Sequence, residues 1–259
     1  MITSLANEKV KLVRALQSQR KTREKERRFV VEGVRLAEEA IRAKAKIDFV
    51  FYANRPDARV RAALNGLRQL GASAEEVSPA VMAACSDTEA PPGLLAVLPF
   101  PPPPSHIPLL TSFVLVLDRL ADPGNLGAIL RTAAAADVES VFLSPGTVDA
   151  FNPKVVRGAM GAHFRLLITH AEWPEIQRAL AGLTVYLASP KGGERYDAVD
   201  WTKPAALIVG GEADGASAEA ERLAKRRVSI PMLGESESLN AAVAAGVLMF
   251  EVVRRRTTD

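Results

Sequence analysis

The second half of the chain alternates apolar runs with stretches of helical periodicity. Largely apolar runs, typical of strands buried on both faces, occur at Phe113–Asp118, Ser140–Leu143, Leu183–Ala188 and Ala205–Gly210. Helical spacing is clearest over 125–136 and 239–255, with weaker strand signals at 166–168 and 228–231. This alternation predicts a parallel sheet covered by helices, and ligands bind such sheets beyond the carboxyl ends of the strands.

The first hundred residues have a different, mixed pattern. Helical spacing at 10–17 and 33–43 alternates with β-type runs at 29–31, 49–52 and 94–98, which predicts a small α/β domain. The four prolines that follow Phe100 cannot continue a helix or a central strand and favour an extended spacer. We therefore predict one domain over 1–98, a linker over 99–108 and a second domain over 109–259.

Composition narrows the class of protein. The chain has 259 residues, 48% of them hydrophobic and 24% charged, which are ordinary globular values. No apolar run reaches the roughly 18 residues that a membrane-spanning helix needs, and the charged start lacks the apolar stretch of a secretory signal. A single cysteine, Cys85, cannot form an intramolecular disulfide, and the three histidines lack metal-ligand spacing. We expect a cytoplasmic protein without a metal or a membrane partner.

The charge is unevenly distributed. The net charge is only +3, but residues 1–46 contain thirteen Lys and Arg against six Glu, so the rest of the chain is acidic overall. A basic lobe on a near-neutral body indicates a polyanion partner, although a solvated helix face would look the same. The side chains predicted to contact the phosphates of such a partner are Arg20, Lys21, Arg23, Arg27, Arg28 and Arg35.

The loop after the first strand of the second domain carries the string Asp122-Pro-Gly-Asn-Leu-Gly-Ala-Ile-Leu-Arg131. Its Pro-Gly pair predicts a turn, and Asn125 is a candidate cap for the helix that follows. An arginine among small apolar residues rarely lies buried without a partner. We interpret Arg131 as a site residue, with an ordinary surface arginine as the alternative.

Two further loops contain candidate site residues. The two glycines of Val209-Gly-Gly-Glu212 have no side chain, as is needed where a ligand or another chain passes close by. The string is neither a Walker A motif nor GxGxxG. Ile230-Pro-Met leads on to Ser238-Leu-Asn240, where Ser238 is the predicted helix cap and Asn240 lies in the first turn. Small residues over 241–246 allow a neighbouring element to pack closely.

Taken in order, these three strings resemble the motifs of the SpoU/TrmH family of S-adenosylmethionine-dependent RNA 2′-O-ribose methyltransferases. The match covers nearly all of 108–259, and Arg28-Phe-Val-Val-Glu-Gly-Val-Arg35 resembles the ribosomal-protein-like α/β substrate-binding domain that precedes it in many members. The resemblance implies an α/β trefoil-knot methyltransferase domain with a parallel sheet, a small α/β substrate-binding domain before it, and a homodimer formed through the knot region.

The resemblance also assigns residues. Those implied to line S-adenosylmethionine are Leu187, Ala188, Gly210, Gly211, Ile230, Met232 and Leu239. Those implied to surround the reacting ribose are Arg131, Asn125, Glu212, Ser238 and Asn240. The family mechanism names the arginine as the base, but its ordinary pKa above about 12 favours a charged, phosphate-binding group that stabilises the alkoxide. Both roles stay open for Arg131.

Two alternatives to an rRNA methyltransferase have distinct signatures. A non-catalytic RNA-binding protein on the same scaffold would not need the complete set of site residues. An ordinary doubly wound nucleotide-binding enzyme needs a glycine-rich loop after its first strand, whereas this loop has only Gly124 and Gly127. Ribosomal RNA is the first expectation for the substrate, with transfer RNA as the alternative.

Overall fold

The computed structural model describes residues 1–54, 56–101, 112–211, 215–235 and 237–257. The helices are α1 Glu8–Ser18, α2 Arg20–Glu26, α3 Val34–Arg42, α4 Ala58–Gln69, α5 Pro79–Cys85, α6 Pro123–Ala135, α7 Pro153–Ala159, α8 Trp173–Ala179, α9 Ala218–Leu223 and α10 Ala241–Thr257, with a 3₁₀ turn at Ala162–Phe164. The strands are β1 Arg28–Glu32, β2 Phe49–Ala53, β3 Ser73–Val77, β4 Leu94–Pro99, β5 Phe113–Asp118, β6 Ser140–Leu143, β7 Ile168–His170, β8 Thr184–Ala188, β9 Glu194–Arg195, β10 Ala205–Gly210 and β11 Arg226–Ser229.

The chain forms two compact units that do not follow the sequence continuously. The first comprises Met1–Pro102 together with Phe151–Phe164, and the second comprises Pro103–Ala150 together with Arg165–Asp259. Helix α7 therefore packs in the first unit although its neighbours in sequence belong to the second. None of the described helices is both long and apolar enough to cross a membrane.

The first unit is a four-stranded mixed sheet in the order β1-β4-β2-β3, with helices on both faces. Side chains alternate along β2, so Val50 joins the core under α3 and α4 while Phe49 and Phe51 join the core under α1 and α5. Val156 of α7 completes the first of these cores. The predicted small α/β domain is thus confirmed as a fold.

Four elements of the first unit were not predicted. Helix α2 is RKTREKE, which has no apolar periodicity, and the polar strand β3 lies at the edge of the sheet. Helices α4 and α5 did carry a signal in their caps, because Asp57 and Ser78 accept hydrogen bonds from the backbone N–H groups of Val60 and Val81. Cap residues could therefore have located two of the four.

The second unit confirms the predicted parallel sheet. Its seven strands run in the order β7-β6-β5-β10-β8-β11-β9, and every neighbouring pair is parallel. Strands β5 and β10 are in register from Phe113 opposite Ala205 to Asp118 opposite Gly210, so their loops leave the sheet side by side. Helices α8 and α9 pack on one face, and α10 packs against α6 and β10. The strand predicted at 166–168 lies instead at Ile168–His170.

Candidate active site

A buried carboxylate fixes the loops at the carboxyl edge of the second sheet. Asp118, at the end of β5, is fully buried, and its two oxygens accept hydrogen bonds from Ser144 Oγ and from the backbone N–H of Ser217, both at 2.7 Å. These bonds tie β5 to the loop after β6 and to the start of α9. Without these donors a buried carboxylate would have no hydrogen-bond partners, which would strongly destabilise the folded state. The two bonds therefore hold both loops in place.

Helix α6 begins two residues earlier than predicted, at Pro123 instead of Asn125. Its cap is Asp122, whose Oδ1 accepts a hydrogen bond from the backbone N–H of Asn125 at 2.7 Å, with Pro123 in the first helical turn. The prediction that Asn125 caps this helix is therefore wrong, because Asn125 already lies inside the first turn. Its side-chain oxygen instead accepts a hydrogen bond from Asn240 Nδ2 at 3.1 Å.

Helix α10 is capped by Asn240 and not by Ser238, so that prediction is also wrong. The helix starts at Ala241, and Asn240 Oδ1 accepts from the backbone N–H groups of Ala242 at 2.9 Å and Val243 at 3.3 Å. Ser238 lies too far before the helix to take this role. The amide of Asn240 thus caps α10 with its oxygen and binds Asn125 with its nitrogen, joining motifs 115 residues apart.

A cavity of about 650 Å³ opens at the ends of β8, β10 and β11, within the range of small-molecule sites. All seven residues predicted to line the cofactor lie on its wall, namely Leu187, Ala188, Gly210, Gly211, Ile230, Met232 and Leu239. Ser238 and Asn240 line it as well. Sequence reasoning missed other wall residues, including Glu221 and Arg227, which form an ion pair at 2.5 Å.

The two glycines of the wall are required by neighbouring backbone. A β-carbon at Gly210 would lie 2.8 Å from the backbone nitrogen of Ala216, and one at Gly211 would lie 2.6 Å from the carbonyl oxygen of Arg119. Both distances are too short for a side chain without movement of the backbone. Their small size therefore shapes the cavity by letting adjacent loops close against the strand end.

The five residues predicted to surround the ribose do not all lie together. Arg131 is exposed on α6, about 9 Å along the helix axis from Asn125, and is not part of the cavity wall. Glu212 lies outside the described residues. The structure therefore brings together Asn125, Ser238 and Asn240, with Arg131 further along the helix that carries Asn125.

Among the predicted RNA contacts, Arg23 is wrong. Its side chain is only 3% exposed, and Nη1 donates to the carbonyl oxygen of Leu16 at 2.7 Å. The guanidinium thereby satisfies a backbone carbonyl at the C-terminal end of α1, which otherwise lacks a helical partner. A side chain committed in this way cannot reach a phosphate.

The other predicted contacts differ in their surroundings. Arg20, Lys21, Arg27 and Arg35 are exposed, whereas Arg28 is half-buried and bonded to Asp48 at 2.7 Å. The guanidinium of Arg27 lies 4.9 Å from the centre of the Phe100 ring. Arg20 pairs with Glu24 at 2.7 Å, but exposed pairs of this kind are weak and leave the cation accessible. Lys25, in the same basic run, is also exposed.

Among the described residues there is neither a cluster of metal ligands nor an accessible thiol. Within the described ranges no group of three or more His, Cys, Asp or Glu side chains could hold a metal ion. Cys85 is buried, and burial raises the pKa of its thiol to about 11, so it is protonated at neutral pH. His106 lies outside the described residues.

Comparison with known proteins agrees with this geometry. Residues 112–250 match the SpoU rRNA Methylase family, and residues 7–96 match the MRM3-like substrate binding domain. The chain is 33% identical to the Bacillus subtilis 23S rRNA (guanosine(2553)-2'-O)-methyltransferase RlmP, over 97% of this chain and 98% of that protein. It is 31% identical to human mitochondrial rRNA methyltransferase 3, over 90% of this chain and 69% of that protein.

Solved structures give the same result. An AdoMet-bound rRNA methyltransferase from Sinorhizobium meliloti superimposes with a TM-score of 0.85 at 32% identity, covering 98% of this chain and 97% of that one. The SpoU methyltransferase AviRb from Streptomyces viridochromogenes, in complex with AdoMet, gives a TM-score of 0.86 at 28% identity, covering 97% and 99%.

Proposed function

The chain belongs to the SpoU rRNA methylase family, and from that premise we propose that it methylates a ribose 2′-hydroxyl of ribosomal RNA, with S-adenosylmethionine as the methyl donor. The observation that carries this proposal is the bond between Asn125 and Asn240 beside the cavity, because it unites the first and third motifs next to the glycine pair of the second. Relatives named for rRNA substrates favour ribosomal over transfer RNA.

The cavity fits the methyl donor. Leu187, Val209, Ile230 and Leu248 give it apolar walls suited to an adenine ring, while the strand ends present backbone groups for polar contacts. We assign the binding of the donor to the seven predicted wall residues. When bound there, the donor supplies a methyl group already activated by its positively charged sulfur, so the protein's task is orientation and proton removal.

The protein must hold the ribose oxygen about 3–3.5 Å from the methyl carbon, in line with the bond that breaks. The Asn240 amide is fixed by bonds at both of its atoms, so it offers a preorganised polar group beside the reacting oxygen. We place Asn125 and Ser238 around the same ribose, and Glu212, which lies outside the described residues, stays a prediction of the resemblance. In this proposal the guanidinium of Arg131 binds the target phosphate and stabilises the developing alkoxide, while water accepts the proton of the ribose hydroxyl.

We assign RNA recognition to the first unit. Its exposed basic side chains on and after α2 supply phosphate contacts, which provide affinity without reading the sequence. Arg35, at the start of α3, adds a further exposed cation. The proline-rich segment 99–108 is the proposed linker between the RNA-binding and methyltransferase domains, and its residues from 102 onward lie outside the described residues.

The trefoil knot is proposed from the placement of α10. After β11 the chain returns to pack α10 against α6 and β10, in the middle of the sheet. Arg256 fixes its end, donating to the carbonyl oxygen of Trp201 at 2.8 Å and to Ser112 Oγ at 2.5 Å. A C-terminal segment held in this way is consistent with the threaded topology of the family, which is rare in other folds.

We also propose that the protein forms a homodimer through α10. Val243 and Phe250 are 52% and 49% exposed, and their spacing of seven residues places them on one face of α10. Exposed apolar side chains on one helix face favour burial against a partner, and a second copy of the same face satisfies two-fold symmetry. We also propose a cytoplasmic location, which is supported by the similarity to a bacterial rRNA methyltransferase of nearly the same length.

The test uses the purified full-length protein. Titration calorimetry with S-adenosylmethionine is expected to show binding, and incubation with labelled donor and total RNA from a strain lacking the protein is expected to label one rRNA ribose. Mapping the modified nucleotide then identifies the site. Label in transfer RNA alone would contradict the rRNA assignment, and donor binding without transfer to any RNA would identify a non-catalytic binding protein.

A further inference from the structure

The backbone of Arg119 adopts a conformation that is rare for residues other than glycine. Its φ is +54°, in the left-handed region that favours glycine. In the described part of the chain four other non-glycine residues share this feature, and each lies within two residues of a helix C-terminus, where a left-handed residue ends the helix: Arg27, Lys44, Asp137 and Met160. Arg119 differs because it follows a strand, β5.

Neighbouring groups hold Arg119 in this conformation. The preceding Asp118 is locked by its two hydrogen bonds, and the backbone N–H of Arg119 donates to Ser144 Oγ at 3.2 Å. The carbonyl oxygen of Arg119 packs against Gly211, so closely that a β-carbon there would be 2.6 Å away. Strained backbone conformations that the surrounding structure holds in place, as here at both the N–H and the carbonyl group, are frequent at functional sites.

The conformation directs the side chain to the edge of the site. Arg119 is exposed, and its Cγ lies 3.4 Å from the position that a β-carbon would take on Gly146 in the loop after β6. The stem therefore lies over the loop after β6, while the carbonyl oxygen packs against Gly211, which lines the cavity. Arg119 is not itself among the residues that line the cavity.

We propose that Arg119 is a substrate-binding residue whose guanidinium binds an RNA backbone phosphate beside the methylated nucleotide. This inference rests on the proposed function. An arginine presents donors that match phosphate geometry. Arg119 follows β5 at the carboxyl edge of the parallel sheet, which is the edge where such sheets bind their ligands. Its position outside the cavity wall favours the RNA over the methyl donor as its ligand.

The test replaces the side chain without disturbing the backbone. Asparagine and glycine both accept a positive φ, so Arg119→Asn and Arg119→Gly are expected to fold with a melting temperature equal to or above that of the wild type. For both variants we expect kcat/KM for RNA to fall about ten- to a hundred-fold, the loss typical of a charge-assisted hydrogen bond. Donor affinity by calorimetry stays unchanged, and the salt dependence of RNA binding becomes shallower.

Arg178→Asn is the matched control, because Arg178 is exposed on α8 and its loss changes the net charge equally. It is expected to behave as the wild type. The inference is overturned if Arg119→Asn retains wild-type kcat/KM for RNA, or if donor affinity falls while the KM for RNA does not change. Each comparison uses a wild-type enzyme that methylates RNA. A wild type that binds no donor and transfers no methyl group refutes the proposed function itself.

Discussion

Asn240 and Asn125 join the starts of two helices through one amide. Asn240 Nδ2 donates to Asn125 Oδ1 at 3.1 Å, while Asn240 Oδ1 accepts from the first backbone N–H groups of α10. The two functions of this side chain can be separated by mutation, because only one of them involves Asn125. That separation distinguishes a catalytic role of the pair from a role in stability.

Asn125→Ala removes the side-chain bond and leaves the cap of α10 in place. We expect its free energy of unfolding to fall by about 0.5 kcal/mol, the lower end of what one hydrogen bond contributes, while kcat falls at least about ten-fold. Asn240→Ala removes the cap as well and should cost about 1 kcal/mol of stability. Chemical denaturation and single-turnover methylation measure the two effects.

Asn152→Ala is the control for cap loss, because Asn152 caps α7 by accepting from Lys154. It should lower stability about as much as Asn240→Ala while turnover of the folded protein stays normal. Equal turnover of Asn125→Ala and wild type would remove Asn125 from the site.

Arg131→Lys tests the role of the guanidinium on α6. Lysine keeps the positive charge but loses the planar, two-pronged donor geometry. We expect kcat to fall at least about ten-fold at every pH from 6 to 9, with unchanged donor affinity, since Arg131 is exposed and outside the cavity wall. Near-wild-type turnover across that range would show that any cation suffices at this position.

Gly211→Ala tests whether the closed wall of the cavity is needed. The new β-carbon would lie 2.6 Å from the carbonyl oxygen of Arg119, which is fixed backbone. We expect a loss of about 1–3 kcal/mol in unfolding free energy, as for other overpacked sites, and weaker donor binding by calorimetry. Gly234→Ala is the control, because a β-carbon there meets nothing within 4 Å. A Gly211→Ala protein with unchanged stability and donor affinity would contradict the close approach.

Reversing charge on α2 tests RNA binding by the first unit. Lys21 and Lys25 are exposed and four residues apart, so they lie on one face of the helix. Lys21→Glu with Lys25→Glu should weaken RNA binding and reduce the slope of log K against log salt by about 1–2, with unchanged donor affinity. Arg28, bonded to Asp48, is a poor choice because its reversal would also disturb packing.

The control carries the same change of charge on α4. Arg61→Glu with Arg68→Glu alters two exposed residues of the same unit. It should leave the slope close to that of the wild type. If both double variants change RNA binding equally, the effect belongs to the overall charge and not to the surface of α2.

Cys85 should be unreactive in the folded protein. Burial raises the pKa of its thiol to about 11, so at pH 8 it stays protonated and inaccessible. A thiol reagent such as 5,5′-dithiobis(2-nitrobenzoate) is expected to label it only after unfolding. Because the thiol ionises more easily in the unfolded chain, this group's contribution to stability is complete below about pH 9 and decreases as pH rises towards 11. Rapid labelling of native protein at pH 8 would contradict the burial.

Local signals in the sequence explain why several predictions were confirmed. The apolar runs ending at Asp118 and Gly210 are buried strands because a parallel sheet covered on both faces leaves no polar side, and that pattern is visible along the chain. Helix α2 and strand β3 were missed because their sequences, RKTREKE and SAEEV, are mostly polar and carry no apolar period. Arg23 was misassigned because its charge is visible in the sequence, whereas its bond to the Leu16 carbonyl is not.

Apolar periodicity along the chain predicts the main strands and helices of the second unit, and the resemblance of its motifs to a known family predicts seven residues of the cavity wall. Only the folded chain shows which side chain caps which helix, that Asn240 meets Asn125, that α7 packs in the first unit, and that Arg119 is held at positive φ. The difference lies in the range of the interactions. Periodicity is a property of neighbouring residues, whereas a hydrogen bond across 115 positions exists only after the sheet has brought its strand ends together.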